Sequence, residues 1–129
     1  MKSVLAPPIR AQIGLRVQER THFGLQTSDQ SIKTDVQSVS TDDCLTMLTN
    51  IEAKTYLRTD LETTDKRIGF IAQDIKEYMP EEFANIIGIV NAKNGQLIGL
   101  DYSRLTPILW TLVKDLSTRL EALENNSST

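Results

Sequence analysis

Arg67-Ile68-Gly69-Phe70-Ile71-Ala72-Gln73-Asp74-Ile75 changes its rhythm half-way along. Arg67 to Ile71 reads as a strand, in which Gly69 marks either a bulge or a place where another backbone comes close. From Ala72 the pattern turns helical, with Ile75 and Met79 four apart on one face. Pro80, which has no N–H to donate, stops that helix. A strand running straight into a short helix points to a mixed α+β chain.

Working outward confirms the mixture. On the N-terminal side, Thr59 to Lys66 is polar and turn-rich, and Ala53 to Arg58 reads as the partner strand, with Tyr56 among alternating polar neighbours. Before it, Ser40-Thr41-Asp42-Asp43 offers N-cap residues for a short helix whose apolar side is Leu45, Met47 and Leu48 and which ends near Asn50. On the C-terminal side, Ile86 to Val90 and Gln96 to Leu100 flank Asn94-Gly95, a strong hairpin signal. Asp74, Glu77, Glu81 and Glu82 read as a solvated face, since no histidine or convergent ligand set accompanies them.

From Asp101 to about Glu124 the pattern is helical, and Pro107 is tolerable in its first turn. Leu109, Val113, Leu116, Leu120 and Leu123 recur at alternating steps of four and three, the rhythm of a coiled-coil seam. Trp110 and Leu112 lie off that seam, so the first half of the helix is expected to face the globular part as well. Asn125 to Thr129 are expected to fray into a disordered tail. The fold expected is therefore α+β, with short helices and β-hairpins followed by a long C-terminal helix.

The 129 residues fit one domain, and 40% hydrophobic content with three phenylalanines points to self-association as a way to bury enough surface. A net charge of −3 argues against a nucleic-acid surface, which is normally basic. Cys44 stands alone, which leaves no disulfide framework and no zinc cluster, and is expected to pack as a small apolar residue. No apolar run reaches the ~20 residues of a membrane span. The opening Met1-Lys2-Ser3-Val4-Leu5-Ala6-Pro7-Pro8 is too short in apolar residues for a secretory signal, so synthesis in the cytoplasm is expected. Residues 1–27 form a segment apart, strand-like through Ile13, Leu15 and Val17 and again through Phe23 and Leu25.

Between that segment and the first helix stands Ser28-Asp29-Gln30-Ser31-Ile32-Lys33. A serine hydroxyl is a poor nucleophile until a neighbouring group takes its proton, and Lys33 is a nearby amine that could do so. An ordinary lysine, with a pKa near ~10.4, is almost wholly protonated at neutral pH, so such a base needs desolvation. Residues five apart do not share a face of a strand, so a Ser28–Lys33 pair requires a turn between them or a lysine from another chain. Ser31, two residues from Lys33, would share a face with it in an extended segment and is the rival nucleophile. His22 is a weaker proposal for the base.

In this order, the Ser28 to Lys33 element, the Gly69-Phe70-Ile71-Ala72-Gln73-Asp74 run, Pro80-Glu81, Asp101-Tyr102-Ser103-Arg104-Leu105 and the leucine-rich helix resemble a known family. It is the intramolecular chaperone auto-processing domain of phage tail spikes and tail fibres, also found in myelin regulatory factor. The resemblance spans Ser28 to Leu123, about three quarters of the chain. It implies a C-terminal chaperone domain over 28–124 that forms a homotrimer through a coiled coil at 101–124, assists folding of the fibre segment preceding it, and then cuts itself off. It implies Ser28 as nucleophile, Lys33 as general base and Asp29 as a turn-shaping residue, with cutting at Thr27-Ser28 or Ser28-Asp29. It further implies work in the host cytoplasm during virion assembly, a parent protein in the virion tail, no cofactor, and no nucleic acid, membrane or small-molecule partner. Two positions depart from the family pattern: Ser31 stands where an arginine is usual and Asp35 where asparagine is frequent. A carboxylate two residues from Lys33 would tend to hold the lysine charged. The departures leave a second expectation, a trimerisation module that no longer cuts.

Overall fold

Ser40 starts the first helix: its hydroxyl accepts the Asp43 N–H at 3.3 Å, and α1 runs Thr41–Asn50 with Asp42 and Asp43 in the first turn, where carboxylates suit the helix dipole. The computed structural model describes residues 25–127 apart from Asn94, and the chain divides between Gln37 and Ser38. The alternation read through Ile13, Leu15, Val17 and Phe23, and His22, lie outside the described residues. Leu25 is exposed.

After α1 come β1 (Lys54–Tyr56), β2 (Arg67–Gly69), α2 (Ala72–Tyr78), a 3-10 turn at Glu81–Ile86, β3 (Ile87–Ala92), β4 (Gly95–Leu100), a 3-10 turn at Tyr102–Leu105 and α3 (Thr106–Ser127). The architecture is α+β, with two separate two-stranded antiparallel sheets, β1–β2 and β3–β4. In the second hairpin Ala92 pairs with Gly95. Gly95 is thus the first residue of β4 rather than part of the turn, and its φ of +135° is one that side chains rarely adopt.

The core is small. Cys44 and Met47 of α1, Ile75 of α2, Ile86, Leu105, and Ile108 and Leu112 of α3 are buried together. Each such side chain contributes about 1.5–3 kcal/mol by leaving water, which is why α1, α2 and the start of α3 hold one another. Cys44 packs inside as a small apolar residue, and burial pushes its thiol upward from the usual range, with the neighbouring Asp43 charge adding to the effect. Leu48, read as part of the apolar side of α1, is about half exposed, and Cys44 takes its place in the core.

Ile108 and Leu112 are four apart and share the inward face of α3. Trp110 does not join them. Two residues are about 200° of helix turn, so it stands on the far side, 70% exposed. After Leu112 no residue of α3 is buried, and the helix continues through Ser127, three residues beyond the end read from the sequence. Residues 125–127 hold neither Gly nor Pro to stop it. No helix among the described residues is long and apolar enough to cross a membrane.

Candidate functional site: a serine and a lysine across a 3-10 turn

Asp29 caps a single 3-10 turn, Gln30–Ile32. Its carboxylate Oδ1 accepts the Ser31 N–H at 2.8 Å, its carbonyl accepts the Ile32 N–H at 3.3 Å, and the Gln30 carbonyl accepts the Lys33 N–H at 3.1 Å. Aspartate favours this geometry because its short carboxylate reaches a backbone amide two residues on. The Ser31 N–H, and then the Ser31 hydroxyl, hold the Asp29 carboxyl below the usual carboxylate range.

The turn folds the chain so that Lys33 Nζ donates to Ser28 Oγ at 2.7 Å. Ser31 lies inside the turn rather than on an extended segment, so the shared face that made it a rival is not formed. Its hydroxyl is engaged by Asp29. Ser28, Asp29, Ser31 and Lys33 are all exposed to solvent, as is Thr27. The arrangement can therefore pass a proton between a hydroxyl and an amine, but within one chain water surrounds both.

Two further features were not read from the sequence. Asp35 adopts a left-handed φ of 52°, and its Oδ1 accepts from Gln37 Nε2 at 2.9 Å. In the other unit, Tyr102 and Gly69 meet: a Cβ on Gly69 would run into the Tyr102 hydroxyl and crowd the Tyr56 hydroxyl. Gly69 thus marks a close approach, but by two tyrosine side chains rather than by a backbone. The only sequence signal for this was the quoted Asp101 to Leu105 run, which named Tyr102 without a role.

The carboxylates at 74, 77, 81 and 82 form no metal-binding group, and none of three or more His, Cys, Asp or Glu residues occurs among the described residues. Asp74 is half-buried and the three glutamates are exposed. The seam residues Leu109, Val113, Leu116, Leu120 and Leu123 are each more than half exposed and line up along α3.

No curated protein gives a significant match to the chain. Residues 28–83 match the model of a peptidase family described as the chaperone of endosialidase. The match starts at Ser28, takes in the 3-10 turn, α1, β1, β2 and α2, and stops short of β3–β4 and α3. That match supports reading residues 28–83 as an intramolecular chaperone domain similar to the chaperone of endosialidase.

Proposed function

We propose that this chain is a C-terminal intramolecular chaperone that trimerises, assists folding of a viral tail fibre or tail spike segment on the same polypeptide, and then releases itself by one self-cleavage at Ser28. The observation that carries the reading is the 2.7 Å contact between Lys33 Nζ and Ser28 Oγ, at the residue where the family match begins. The protonated amine donates across that distance. Once it has lost its proton, the same amine accepts the hydroxyl proton and frees Ser28 Oγ to attack.

The reaction is written on the Thr27–Ser28 bond. Ser28 Oγ attacks the Thr27 carbonyl carbon while Lys33 takes the hydroxyl proton. The tetrahedral adduct collapses by breaking the C–N bond, and the lysine returns the proton to the departing nitrogen. That leaves the Thr27 acyl group as an ester on Ser28 Oγ, which water hydrolyses to a Thr27 carboxylate and a new N-terminal serine. One event per chain suffices.

The assembly half of the reading is supported by the exposed apolar line on α3, a surface that a coiled coil would cover. Joining chains through their tails raises the effective concentration of the preceding segments before slow, non-local strand pairing begins. Cleavage afterwards leaves a product held by its kinetic barrier. The setting proposed is the host cytoplasm during virion assembly, with the parent protein destined for the virion tail.

A second reading, an assembly module that does not cut, is favoured by the exposure of both Ser28 and Lys33, which leaves the pair without the desolvation a lysine base needs. Intact-mass spectrometry of the expressed chain separates the two. A fragment beginning at Ser28 or Asp29, missing in Ser28→Ala and Lys33→Ala, is expected for self-cleavage. Full-length mass in all three proteins would leave only the assembly module.

A further inference from the structure

Within residues 25–37 there are two carboxylates, Asp29 and Asp35, and one cation, Lys33. Asp29 is committed to the Ser31 N–H and hydroxyl at the head of the turn. Asp35, two residues after Lys33, is the remaining anion that could draw the ammonium away from Ser28 and keep it charged. Yet no ion pair joins Lys33 to Asp35, and Nζ donates to Ser28 instead. The Asp35 carboxylate accepts from the neutral Gln37 amide, across a backbone that turns through the left-handed region at Asp35.

We infer that Gln37 is a positioning residue for the Ser28–Lys33 pair: by holding the Asp35 carboxylate in a neutral hydrogen bond, it keeps a competing anion off the lysine. The inference rests on the reading of Ser28 and Lys33 as the self-cleaving pair. An amide suits the task because it satisfies a carboxylate oxygen without adding charge beside the lysine. The left-handed turn suits it too. Aspartate is among the few side chains that adopt that conformation readily, and it sits two residues before Gln37 in the short loop.

The test follows two readouts in full-length wild type, Gln37→Ala, Asp35→Asn and the double variant: the self-cleavage rate against pH, and the pH midpoint of the Lys33 Cε resonance. Freed from Gln37, Asp35 is expected to move the resonance midpoint and the rate profile of Gln37→Ala to higher pH by about half a unit, lowering the rate near neutrality about threefold, the size of one solvent-exposed charge contact. The double variant is expected to lose that shift, because the anion itself is gone. A Gln37→Ala midpoint coincident with wild type, or a shift that survives in the double variant, overturns the inference. If no protein cuts but the midpoint still moves and is restored by Asp35→Asn, the self-cleavage reading falls while the control of Asp35 by Gln37 stands.

Discussion

The Tyr102 hydroxyl accepts the Phe70 backbone N–H at 2.9 Å across 32 residues of chain, and the two rings stack with centroids 6.2 Å apart. Phe70 is the first residue beyond β2, where the strand ladder ends and its N–H needs another acceptor. Tyr102 supplies it from the 3-10 turn just ahead of α3, with its hydroxyl over the bare Cα of Gly69 and near the Tyr56 hydroxyl of β1. A single side chain thereby ties the first hairpin to the start of the long helix.

Removing that hydroxyl is expected to cost about 1 kcal/mol in Tyr102→Phe, the net worth of one hydrogen bond with the ring stacking kept. Gly69→Ala is expected to cost about 1–3 kcal/mol, because the added methyl meets the tyrosine hydroxyls. Combining the two should recover part of the glycine penalty, since the closest obstacle is then missing. Urea unfolding of the three variants gives these values, and a Tyr102→Phe protein as stable as wild type would show that the contact carries no weight.

Along α3, the proposed trimer predicts that Leu116→Glu with Leu120→Glu yields a single chain with its helices intact, because both leucines are more than half exposed and lie outside the core. Leu112→Ala, by contrast, removes a core side chain that is 4% exposed and should destabilise the fold itself by about 2–5 kcal/mol. Sedimentation velocity and circular dichroism on the same samples separate the two effects. Wild-type protein that sediments as a single chain at high concentration sinks the seam.

Acid should loosen the entry to α3. The Ser103 hydroxyl, the Ser103 backbone N–H and Arg104 hold the Asp101 carboxyl below its ordinary range. A carboxyl whose value is lower in the folded chain adds stability that is fully present above the unfolded value, near ~3.9, and is lost as pH falls through the folded value. Asp101→Asn is expected to lower the melting temperature at neutral pH and to narrow the difference between neutral pH and about pH 3, which lies below the unfolded value, where this stabilisation is no longer complete. Melting curves at the two pH values check this, and an undiminished acid sensitivity in the variant counts against it.

What the sequence determined by itself is the part of this protein written in short-range chemistry. Ser40 caps α1, Pro80 ends α2, apolar runs flanking a turn signal set the β3–β4 hairpin, and a leucine rhythm runs down α3. Each depends on neighbours within a few positions: a hydroxyl in reach of an amide, a missing N–H, a period of two or of three and four. The turn between Ser28 and Lys33 was legible as one of two alternatives, the other being a lysine from another chain, because residues five apart do not share a face of a strand.

Only the tertiary structure decided which distant groups share a space. Gly69 fits two tyrosine hydroxyls, one of them 33 positions away in sequence, and no pattern around it distinguishes them from a passing backbone. Leu112 turned inward and Trp110 outward, although both lie off the seam, because burial depends on where α1 and α2 sit against the helix. Local bonding is fixed by bond lengths and reach along the chain, whereas burial and close approach are fixed by how elements far apart in sequence fill a common volume.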